Sequence, residues 1–497
     1  MELDLKKLKN IHIIGILGLE GWAMLDFFLT QGFENITAHD FIKESEFREN
    51  FIKNHPGFSK KALKKTFSKL SIYKKRIKIF YKKSYLKEID KADFIFCPQS
   101  WFLYKENRPL FKVKKKIPFL GIINIYFALA PAKIIGITGS CGKTTTSRLI
   151  YHIFKKLKKK IYYGGNDKKA VQSLSEIPKM KKKDFLILEV SHRHLMNFKN
   201  PLSCPGRELL APQKTPFIAV ILNISKNHLD EVKSLKKYRE LKKRILFFQK
   251  EKDFAILNYD DISVRSFSKE AKSQIIFFSK TKSLKEGVFW DKRDNFLKVK
   301  RGEKETRVIK KEELSLQAQS YLEDVLAAIA VSFLAKIKPK IIKKAIQSFS
   351  WPKNCLEYLG NIKGIKYYNN LASATPEATE RAIEALMLNK NLVQAKNLIL
   401  LTGGKDKKSD YRKLVKKVKK SIKFLILFPD SVSKQMEKLF SQKERKLIKK
   451  VSNLKEAITF IKEKSKEGDT VLLSPSGAFF QSKYGRKQDF LRIVSSY

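Results

Sequence analysis

Short apolar runs alternate with stretches of helical spacing along most of this chain. The runs predict buried strands, and apolar positions three and four residues apart predict helices after several of them. Strands that alternate with helices are typical of parallel sheets, so the pattern predicts an α/β fold with mainly parallel sheets. The predicted strands cover residues 11–18, 35–38, 93–98, 134–137, 185–189, 217–222, 365–369, 398–402, 424–428 and 470–474.

Two positions divide this pattern into three parts. The first part closes near Ala132, where a glycine-rich stretch begins, and Trp351-Pro352 has the character of a linker. The length of 497 residues also fits about three domains. We predict a Rossmann-like domain at residues 1–131, a central P-loop ATPase-like domain at 132–351 and a C-terminal Rossmann-like α/β domain at 352–497.

The glycine-rich stretch carries the strongest chemical signal. Backbone N–H groups of such a loop, the dipole of the next helix and a lysine bind phosphate, and a threonine after the lysine reaches Mg²⁺. The strict G-x-x-x-x-G-K-[ST] spacing is not met, because Ile137 stands five residues before Gly142. We nevertheless predict an ATP site in preference to an ordinary turn with an exposed lysine. The predicted ATP-binding residues are Gly139, Ser140, Cys141, Gly142, Lys143, Thr144 and Thr145.

The charge balance is extreme, with 104 basic and 49 acidic residues and a formal net charge of +55. Such a charge favours polyanions, either nucleic acid or acidic small molecules. The lysines, however, are scattered through the chain in pairs and triplets and collect in no tail or stripe. We therefore interpret the charge as a lysine-rich solvated surface and expect no nucleic-acid partner.

One segment, residues 117–132, is strongly apolar and almost uncharged. It is shorter than the ~20 residues of a spanning helix, and Pro118, Gly121 and Pro131 interrupt it. We predict a buried strand with a short helix, and no membrane span. The four cysteines fit no metal spacing and the N-terminus shows no signal core, so we expect a cytoplasmic protein.

Acidic, imidazole and amine side chains follow the predicted strands of the central part. Glu189 ends the strand at 185–189, where P-loop folds commonly place a residue that holds the metal or its water. His228 follows the strand at 217–222 and is about equally a metal ligand or a helix cap. Lys242, taken alone, is one more helical lysine.

The motifs as an ordered set resemble the Mur ligases, the ATP-dependent amide ligases that build the peptidoglycan stem peptide. The resemblance covers nearly the whole chain and includes the three-domain layout. Gly18-Leu-Glu-Gly21, Gly403-Gly-x-x-Lys407 and Leu472-Leu-Ser-Pro475 look most like the members that add D-glutamate to UDP-N-acetylmuramoyl-L-alanine. The ordered set is Thr138-Gly-Ser-Cys-Gly-Lys-Thr-Thr, Glu189, Leu222-Asn-Ile-Ser-x-Asn-His-Leu-Asp, Tyr238-Arg-x-x-Lys242 and Leu257-Asn-x-Asp-Asp.

The resemblance implies that ATP converts a substrate carboxylate to an acyl phosphate, from which an amine displaces phosphate. It implies two Mg²⁺ ions and no organic redox cofactor. Thr144 and Glu189 match the ligands nearest ATP, and His228 matches a ligand of the second ion. Lys242 matches a carbamylated lysine, whose CO₂ adduct turns a cation into a metal-binding carboxylate. Lys143, His228 and Lys242 are the catalytic residues that the resemblance implies.

Substrate contacts are implied at further positions. Asn166 matches a residue that contacts the muramoyl substrate, and the Leu19-Glu20 turn and Asp40 match the uridine nucleotide pocket. Lys407 matches a lysine that pairs with the carboxylate of the incoming amino acid. An ordinary surface lysine explains this position nearly as well. The expected partners are UDP-N-acetylmuramoyl-L-alanine, D-glutamate and ATP, bound by a monomer.

Several positions depart from the family pattern. Cys355 replaces an arginine that meets ATP phosphates, Asn370 replaces an aspartate, and Phe479 replaces a serine. Ser191-His-Arg-His194 replaces Ser-Ser-Phe-Gln, and the helix expected at adenine reads Ser320-Tyr-Leu-Glu-Asp324. Three alternatives therefore stay open: a Mur-type ligase that adds another amino acid, a folylpolyglutamate-type ligase, or a degenerate homologue that binds nucleotide and catalyses little.

Overall fold

The structure, a computed structural model, describes residues 9–157, 159–167, 169–196, 216–225, 229–388, 396–478, 480–485 and 487–495. The chain divides into two compact units. Unit 1 comprises Met1–Asn223, Arg239–Phe278 and Ala327–Lys338, and unit 2 comprises Ile224–Tyr238, Ser279–Leu326 and Pro339–Tyr497. The domain limits at 131/132 and 351/352 stay a prediction.

The first sheet of unit 1 is parallel, with strand order β3-β2-β1-β4-β5. Its strands are β1 Ile11–Ile14, β2 Ile36–His39, β3 Lys78–Phe80, β4 Phe94–Phe96 and β5 Phe119–Leu120, and its helices are α1 Leu19–Thr30, α2 Phe47–Asn54, α3 Lys60–Tyr73, α4 Leu110–Val113 and α5 Ile122–Leu129. The strand order reverses between β1 and β4, so their carboxyl ends open a crevice of the kind in which α/β sheets bind ligands.

The apolar segment at 117–132 forms β5 and α5, as predicted. Both elements are buried almost completely, which explains their lack of charge. Among the described residues, no helix combines the length and apolar character that crossing a membrane requires.

The second sheet of unit 1 contains six parallel strands in the order β7-β8-β6-β9-β10-β11. They are β6 Lys133–Thr138, β7 Ile161–Gly165, β8 Phe185–Glu189, β9 Ile218–Ile221, β10 Phe254–Asn258 and β11 Gln274–Ser279. The helices of this stretch are α6 Lys143–Phe154, α7 His192–Met196, α8 Leu229–Val232, α9 Leu235–Lys243 and α10 Ile262–Ser266. The order reverses between β6 and β8, which sets the glycine-rich loop beside the end of β8.

Unit 2 contains an antiparallel meander that the strand pattern did not include. Charged residues such as Lys298 and Lys300 interrupt its second and third strands, and the apolar run of its first strand is only three residues long. The strands are β12 Gly287–Asp291, β13 Phe296–Arg301 and β14 Lys304–Lys310, followed by helices α11 Leu316–Ser320, α12 Leu322–Leu334 and α13 Pro339–Gln347.

The third sheet has the order β15-β16-β20-β17-β18-β19, and only the β15–β16 pair is antiparallel. Its strands are β15 Glu357–Ile362, β16 Ile365–Asn369, β17 Leu398–Thr402, β18 Ile422–Leu427, β19 Ile448–Lys450 and β20 Thr470–Leu473. Its helices are α14 Pro376–Leu388, α15 Arg412–Ser421, α16 Ser431–Glu437, α17 Leu454–Lys464, α18 Phe480–Tyr484 and α19 Lys487–Ser495.

Both faces of the third sheet are buried, which explains why its strands are apolar runs rather than alternating patterns. Leu398 and Leu400 of β17 belong to one hydrophobic core, and Ile399 and Leu401 belong to the core on the other face. The predicted fold class, α/β with mainly parallel sheets, is confirmed.

A pair of histidines is buried in the first sheet. His12 Nδ1 lies 2.9 Å from His39 Nε2, and the rings stack with centroids 5.0 Å apart. Burial lowers the pKa of His12 to about 4, and burial together with His12 lowers the pKa of His39 to about 3. Both rings are therefore neutral in the folded protein at neutral pH.

We predict that mild acid destabilises the fold through this pair. The folded-state pKa values lie below the ordinary value, so the unfolded chain takes up protons first and stability falls as the pH drops from about 6.5 toward 4. The shifted pKa of one such histidine lowers the free energy of unfolding by about 2 kcal/mol between pH 6.5 and 5. The melting temperature, measured at several pH values, should depend less on pH in the double variant His12→Leu/His39→Leu than in the unchanged protein. An equal pH dependence of the melting temperature would contradict the prediction.

Candidate phosphate and metal site

The glycine-rich loop connects β6 to α6 at the point where the second sheet reverses its order. Gly142 caps α6 with φ +86°, a left-handed conformation that strongly favours glycine. The helix begins at Lys143, so its first N–H groups and the positive end of its dipole face the loop. The geometry is that of an anion-binding loop.

Asn223, directly after Leu222, fixes the other side of this loop. Its carbonyl accepts a hydrogen bond from Ser140 N at 2.9 Å, and its Oδ1 accepts one from Cys141 N at 2.8 Å. The loop is thereby tied to the chain after β9 before any ligand binds. Asn223 belongs to the Leu222-Asn-Ile-Ser motif, and its function in holding the loop is a finding of the structure.

Glu189 ends β8 and is buried next to the loop. Thr144 Oγ1 donates to Glu189 Oε2 at 2.8 Å, and Asn166 Nδ2 donates to Glu189 Oε1 at 2.6 Å. Asn166 follows Gly165, where φ is +95° and a Cβ would lie 2.2 Å from the Glu189 carbonyl oxygen. The structure thus brings three predicted residues, Thr144, Asn166 and Glu189, into one hydrogen-bonded group.

Two lysines approach the loop from different elements. Lys143 Nζ donates to the carbonyl oxygens of Gly139 and Ser140 at 2.9 and 3.1 Å. Lys242, in α9, is completely buried, and its Nζ donates to Thr138 Oγ1 and Gly139 O, both at 3.0 Å. Burial, and then the nearby charge of Lys143, lower the pKa of Lys242 well below its usual value. The site therefore contains an amine that ionises weakly.

The oxygen atoms beside the loop fit a magnesium ion. Mg²⁺ prefers oxygen ligands and is usually held by one or two protein groups together with phosphates and water. Thr144 Oγ1 and Glu189 Oε2 supply a hydroxyl and a carboxylate only 2.8 Å apart. Within the described residues, no group of three or more His, Cys, Asp or Glu could hold a metal by itself. His228 lies outside the described residues.

The predicted nucleotide turn of the first sheet has two buried carboxylates. Asp40, after β2, accepts from Leu17 N at 2.8 Å and from Ile42 N at 3.3 Å, and burial raises the pKa of Asp40 to about 6. Asp40 therefore fixes the turn in which the half-buried Leu19 begins α1.

Glu20 accepts from Gln99 N and Gln99 Nε2, both at 2.8 Å, and lies 2.9 Å from His194 Nε2. Burial opposes ionisation, but His194 and the Gln99 donors outweigh it and hold the pKa of Glu20 below its ordinary value. Gln99 was absent from the predicted set, because no motif marks the residue after Pro98.

In unit 2, two loops of the predicted amino-acid site lie side by side. Lys405 N donates to Ala478 O at 2.7 Å, and Ala478 N donates to Lys405 O at 3.0 Å. Lys407 is half-buried on the same loop as Lys405. A cavity of about 400 Å³ lies between residues 371–374 and residues 475–478. The segments after β16 and β20, together with Phe480 and Gln481 of α18, thus line this cavity.

Two positions of unit 2 that depart from the family pattern are buried. Asn370 is buried, accepting from Leu356 N and donating to Ser474 Oγ, each at 3.0 Å. The uncharged Asn370 amide therefore connects its own segment with the segments that contain Leu356 and Ser474. Cys355 is also buried, and burial raises the pKa of its thiol. Phe479 lies outside the described residues.

The helix expected at adenine has an aromatic residue with a cation over it. Tyr321 stacks on Trp351 with ring centroids 5.8 Å apart, and the Arg381 guanidinium lies 5.6 Å from the Tyr321 ring centroid. Arg381 is also 3.7 Å from Glu323. Sequence reasoning missed Arg381, since it lies about 60 residues further along the chain in α14.

The chain matches two family models and several curated proteins. The models, described as the Mur ligase middle domain and the Mur ligase glutamate ligase domain, match residues 137–332 and 356–477. A UDP-N-acetylmuramoylalanine–D-glutamate ligase from Alkaliphilus metalliredigens is 32% identical over 76% of this chain and 78% of that protein. A protein of the same name from Clostridium tetani is 29% identical over 95% of this chain and 93% of that protein.

Solved structures resemble the fold over its full length. A MurF ligase from Thermotoga maritima in complex with ADP gives a TM-score of 0.56 at 17% identity and covers 99% of this chain and 97% of its own. A pseudomurein peptide ligase type C from Methanothermus fervidus gives a TM-score of 0.57 at 18% identity, with coverages of 98% and 99%. At these identities the likeness establishes a shared three-domain fold.

We predict that Lys143→Met weakens ATP binding by about 10- to 100-fold, because a charge-assisted hydrogen bond to phosphate contributes about 1.5–3 kcal/mol. Isothermal titration with ATP in the absence of other substrates measures the effect. Lys156→Met, which removes an exposed lysine just after α6, serves as the control and should bind ATP normally. Equal affinities for both variants would place the phosphate site elsewhere.

Proposed function

Because this chain belongs to the Mur ligase family, whose members are ATP-dependent ligases, we propose that it joins D-glutamate to UDP-N-acetylmuramoyl-L-alanine in peptidoglycan precursor synthesis. Relatives that match up to 95% of the chain are named UDP-N-acetylmuramoylalanine–D-glutamate ligases, and this supports the substrate pair.

One observation carries the proposal beyond ATP binding: the buried Lys242 beside the phosphate loop. Its Nζ lies 3.0 Å from Gly139 O, and its pKa is lowered by burial. Lowering the pKa of a lysine favours its free amine, and a free amine is the form that adds CO₂. The amine nitrogen bonds to the carbon of CO₂ and releases a proton, which leaves a carbamate with two metal-binding oxygens.

The proposed reaction has two steps. The carboxylate of the L-alanine residue attacks the γ-phosphorus of ATP and ADP leaves, which gives an acyl phosphate. The amine of D-glutamate then attacks the acyl carbon, phosphate leaves, and the amine loses a proton to form the amide. The first step brings two anions together, so the site must neutralise negative charge.

The residues around the loop suit that requirement. Lys143 and the first N–H groups of α6 bind the phosphates and hold the γ-phosphate toward the incoming carboxylate. Thr144 and Glu189 would hold one Mg²⁺, and His228 and carbamylated Lys242 would hold the second. Bound Mg²⁺ supplies neutralisation of phosphate charge and Lewis-acid polarisation.

Substrate binding is proposed at the positions that the family resemblance implies. Leu19, Glu20 and Asp40 would serve the uridine nucleotide, Asn166 the muramoyl group, and Lys407 the carboxylate of the amino acid. The cavity of about 400 Å³ beside the Lys405–Ala478 bridge suits a compact amino acid.

We also propose the domain limits 1–131, 132–351 and 352–497. We propose a cytoplasmic location, because ATP and nucleotide-linked precursors are made inside the cell. We propose that the protein is a monomer. The net charge of +55 is attributed to the solvated surface.

The uncharged Cys355 and Asn370 favour a second candidate. This candidate is a ligase with the same phosphate chemistry that adds another amino acid, including a folylpolyglutamate-type ligase. Such a ligase would differ from the D-glutamate ligases in its unit 2 residues. A homologue that binds nucleotide and catalyses little would also differ from them there.

We predict that sustained ADP formation, over many turnovers, requires UDP-N-acetylmuramoyl-L-alanine and D-glutamate together. The first step releases at most one ADP per enzyme until the amine consumes the acyl phosphate. Coupled measurement of ADP with D-glutamate, with a panel of L-amino acids and with no amino acid provides the test. Stimulation by an L-amino acid alone would support the second candidate. Nucleotide binding without stimulation by any amino acid would identify a degenerate homologue.

We predict that Lys242→Ala lowers turnover on the order of 100-fold or more, because it removes a group that stabilises transition-state charge. Acetate or formate should restore part of the activity by replacing the carbamate oxygens. Lys237→Ala, an exposed lysine in the same helix, is the control and should need no rescue. Full activity of Lys242→Ala without added carboxylate would refute the carbamate.

A further inference from the structure

We propose that Gln99 is a positioning residue for the metal site, with its own orientation fixed by Glu20 and His194. The inference rests on the proposed function, because the groups that Gln99 orients are Asn166 and Glu189. Gln99 lies outside the motifs that suggested the site.

The side chain of Gln99 uses all of its hydrogen-bonding groups. Its Nε2 donates to Glu20 Oε1 and to Asn166 Oδ1, both at 2.8 Å, while its backbone N donates to Glu20 Oε2. Its Oε1 accepts a hydrogen bond from Ser191 Oγ. An ionised carboxylate only accepts, so Glu20 fixes which end of the Gln99 amide is nitrogen.

His194 holds both partners that orient Gln99. Its Nδ1 lies 3.3 Å from Ser191 N, which leaves Nε2 to donate to Glu20 Oε1 at 2.9 Å. Its backbone N donates to Ser191 Oγ at 3.1 Å. Glu20 and His194 are 7% and 4% exposed, so water competes little for these bonds. His194 thus keeps Glu20 and Ser191 in the positions that Gln99 needs.

The orientation passes from Gln99 to the metal carboxylate. With Oδ1 facing Gln99 Nε2, Asn166 must present Nδ2 to Glu189 Oε1, which lies 2.6 Å away. Glu189 Oε2 faces Thr144 Oγ1. The two ends of an amide have nearly the same shape, so only their partners decide its orientation. Gln99 and Glu189 thus select the same orientation of the Asn166 amide from its two ends. Without Gln99, the Oδ1 end of Asn166 loses the donor that holds the amide against Glu189.

The network connects two sheets of unit 1 at their ligand-binding edges. Gln99 follows β4, next to the turn that begins α1, whereas Asn166 follows β7 and Glu189 ends β8. Outer partners of this kind orient metal ligands, and losing one typically weakens metal affinity about 10- to 100-fold. A change at the first sheet should therefore alter Mg²⁺ affinity at the second.

The experiment compares Gln99→Met with Gln172→Met in the full chain. Gln172 is a matched control: it is a buried glutamine that bonds to the backbone of Gly165, whereas Gln99 bonds to the side chain of Asn166. Isothermal titration with a non-hydrolysable ATP analogue, at a series of Mg²⁺ concentrations, gives the Mg²⁺ concentration for half-maximal binding. Gln99 acts on Glu189 through Asn166, so we expect that concentration to rise by a factor at the lower end of the range for direct partners, about 10-fold, in Gln99→Met and to stay unchanged in Gln172→Met.

A second variant keeps the test informative if Gln99→Met does not fold. Ser191→Ala removes one donor to Gln99 and should shift the same Mg²⁺ concentration in the same direction by a smaller factor. Unchanged Mg²⁺ dependence in both Gln99→Met and Ser191→Ala would overturn the inference, and so would equal shifts in Gln99→Met and Gln172→Met. If the unchanged protein binds the analogue without any Mg²⁺ dependence, the proposed function fails instead.

Discussion

The buried carboxylate of Glu189 is the group on which the arrangement of the site depends. A carboxylate in a protein interior is stable only with donors on its oxygens, and Asn166 and Thr144 supply one to each. The parallel pairing of β6 with β8 sets Ile137 opposite Glu189, so the charge lies beside the start of the phosphate loop. The reversal of strand order at this point explains why loop and carboxylate share one edge of the sheet.

Two lysines give the loop its electrostatic character. Lys143 keeps its ammonium near the loop carbonyls, while Lys242 is buried and its pKa is lowered by burial and by Lys143. The same residue type therefore lies beside the loop carbonyls in one position and is a fully buried amine in the other. Burial lowers the pKa of Lys242, because removing an ammonium from water disfavours its charged form.

The third sheet combines a familiar frame with altered polar groups. Its parallel strands and the Lys405–Ala478 bridge bring the expected loops together. Asn370, however, uses its amide to connect Leu356 and Ser474, a role that an aspartate could not fill with the same donor. Asn370 is thus integrated into the local structure of the third sheet.

The sequence by itself determined the α/β class, the glycine-rich loop between β6 and α6 and the strand that ends in Glu189, because each depends on residues close together in the chain. It did not reveal β12–β14, because charged residues interrupt β13 and β14 and the apolar run of β12 is only three residues long. Only the tertiary structure decided that Lys242 is buried against Gly139 and that Gln99 connects Glu20 to Asn166. These contacts join residues 67 to 103 positions apart, and burial and hydrogen-bond partners at such separations follow from how the sheets pack.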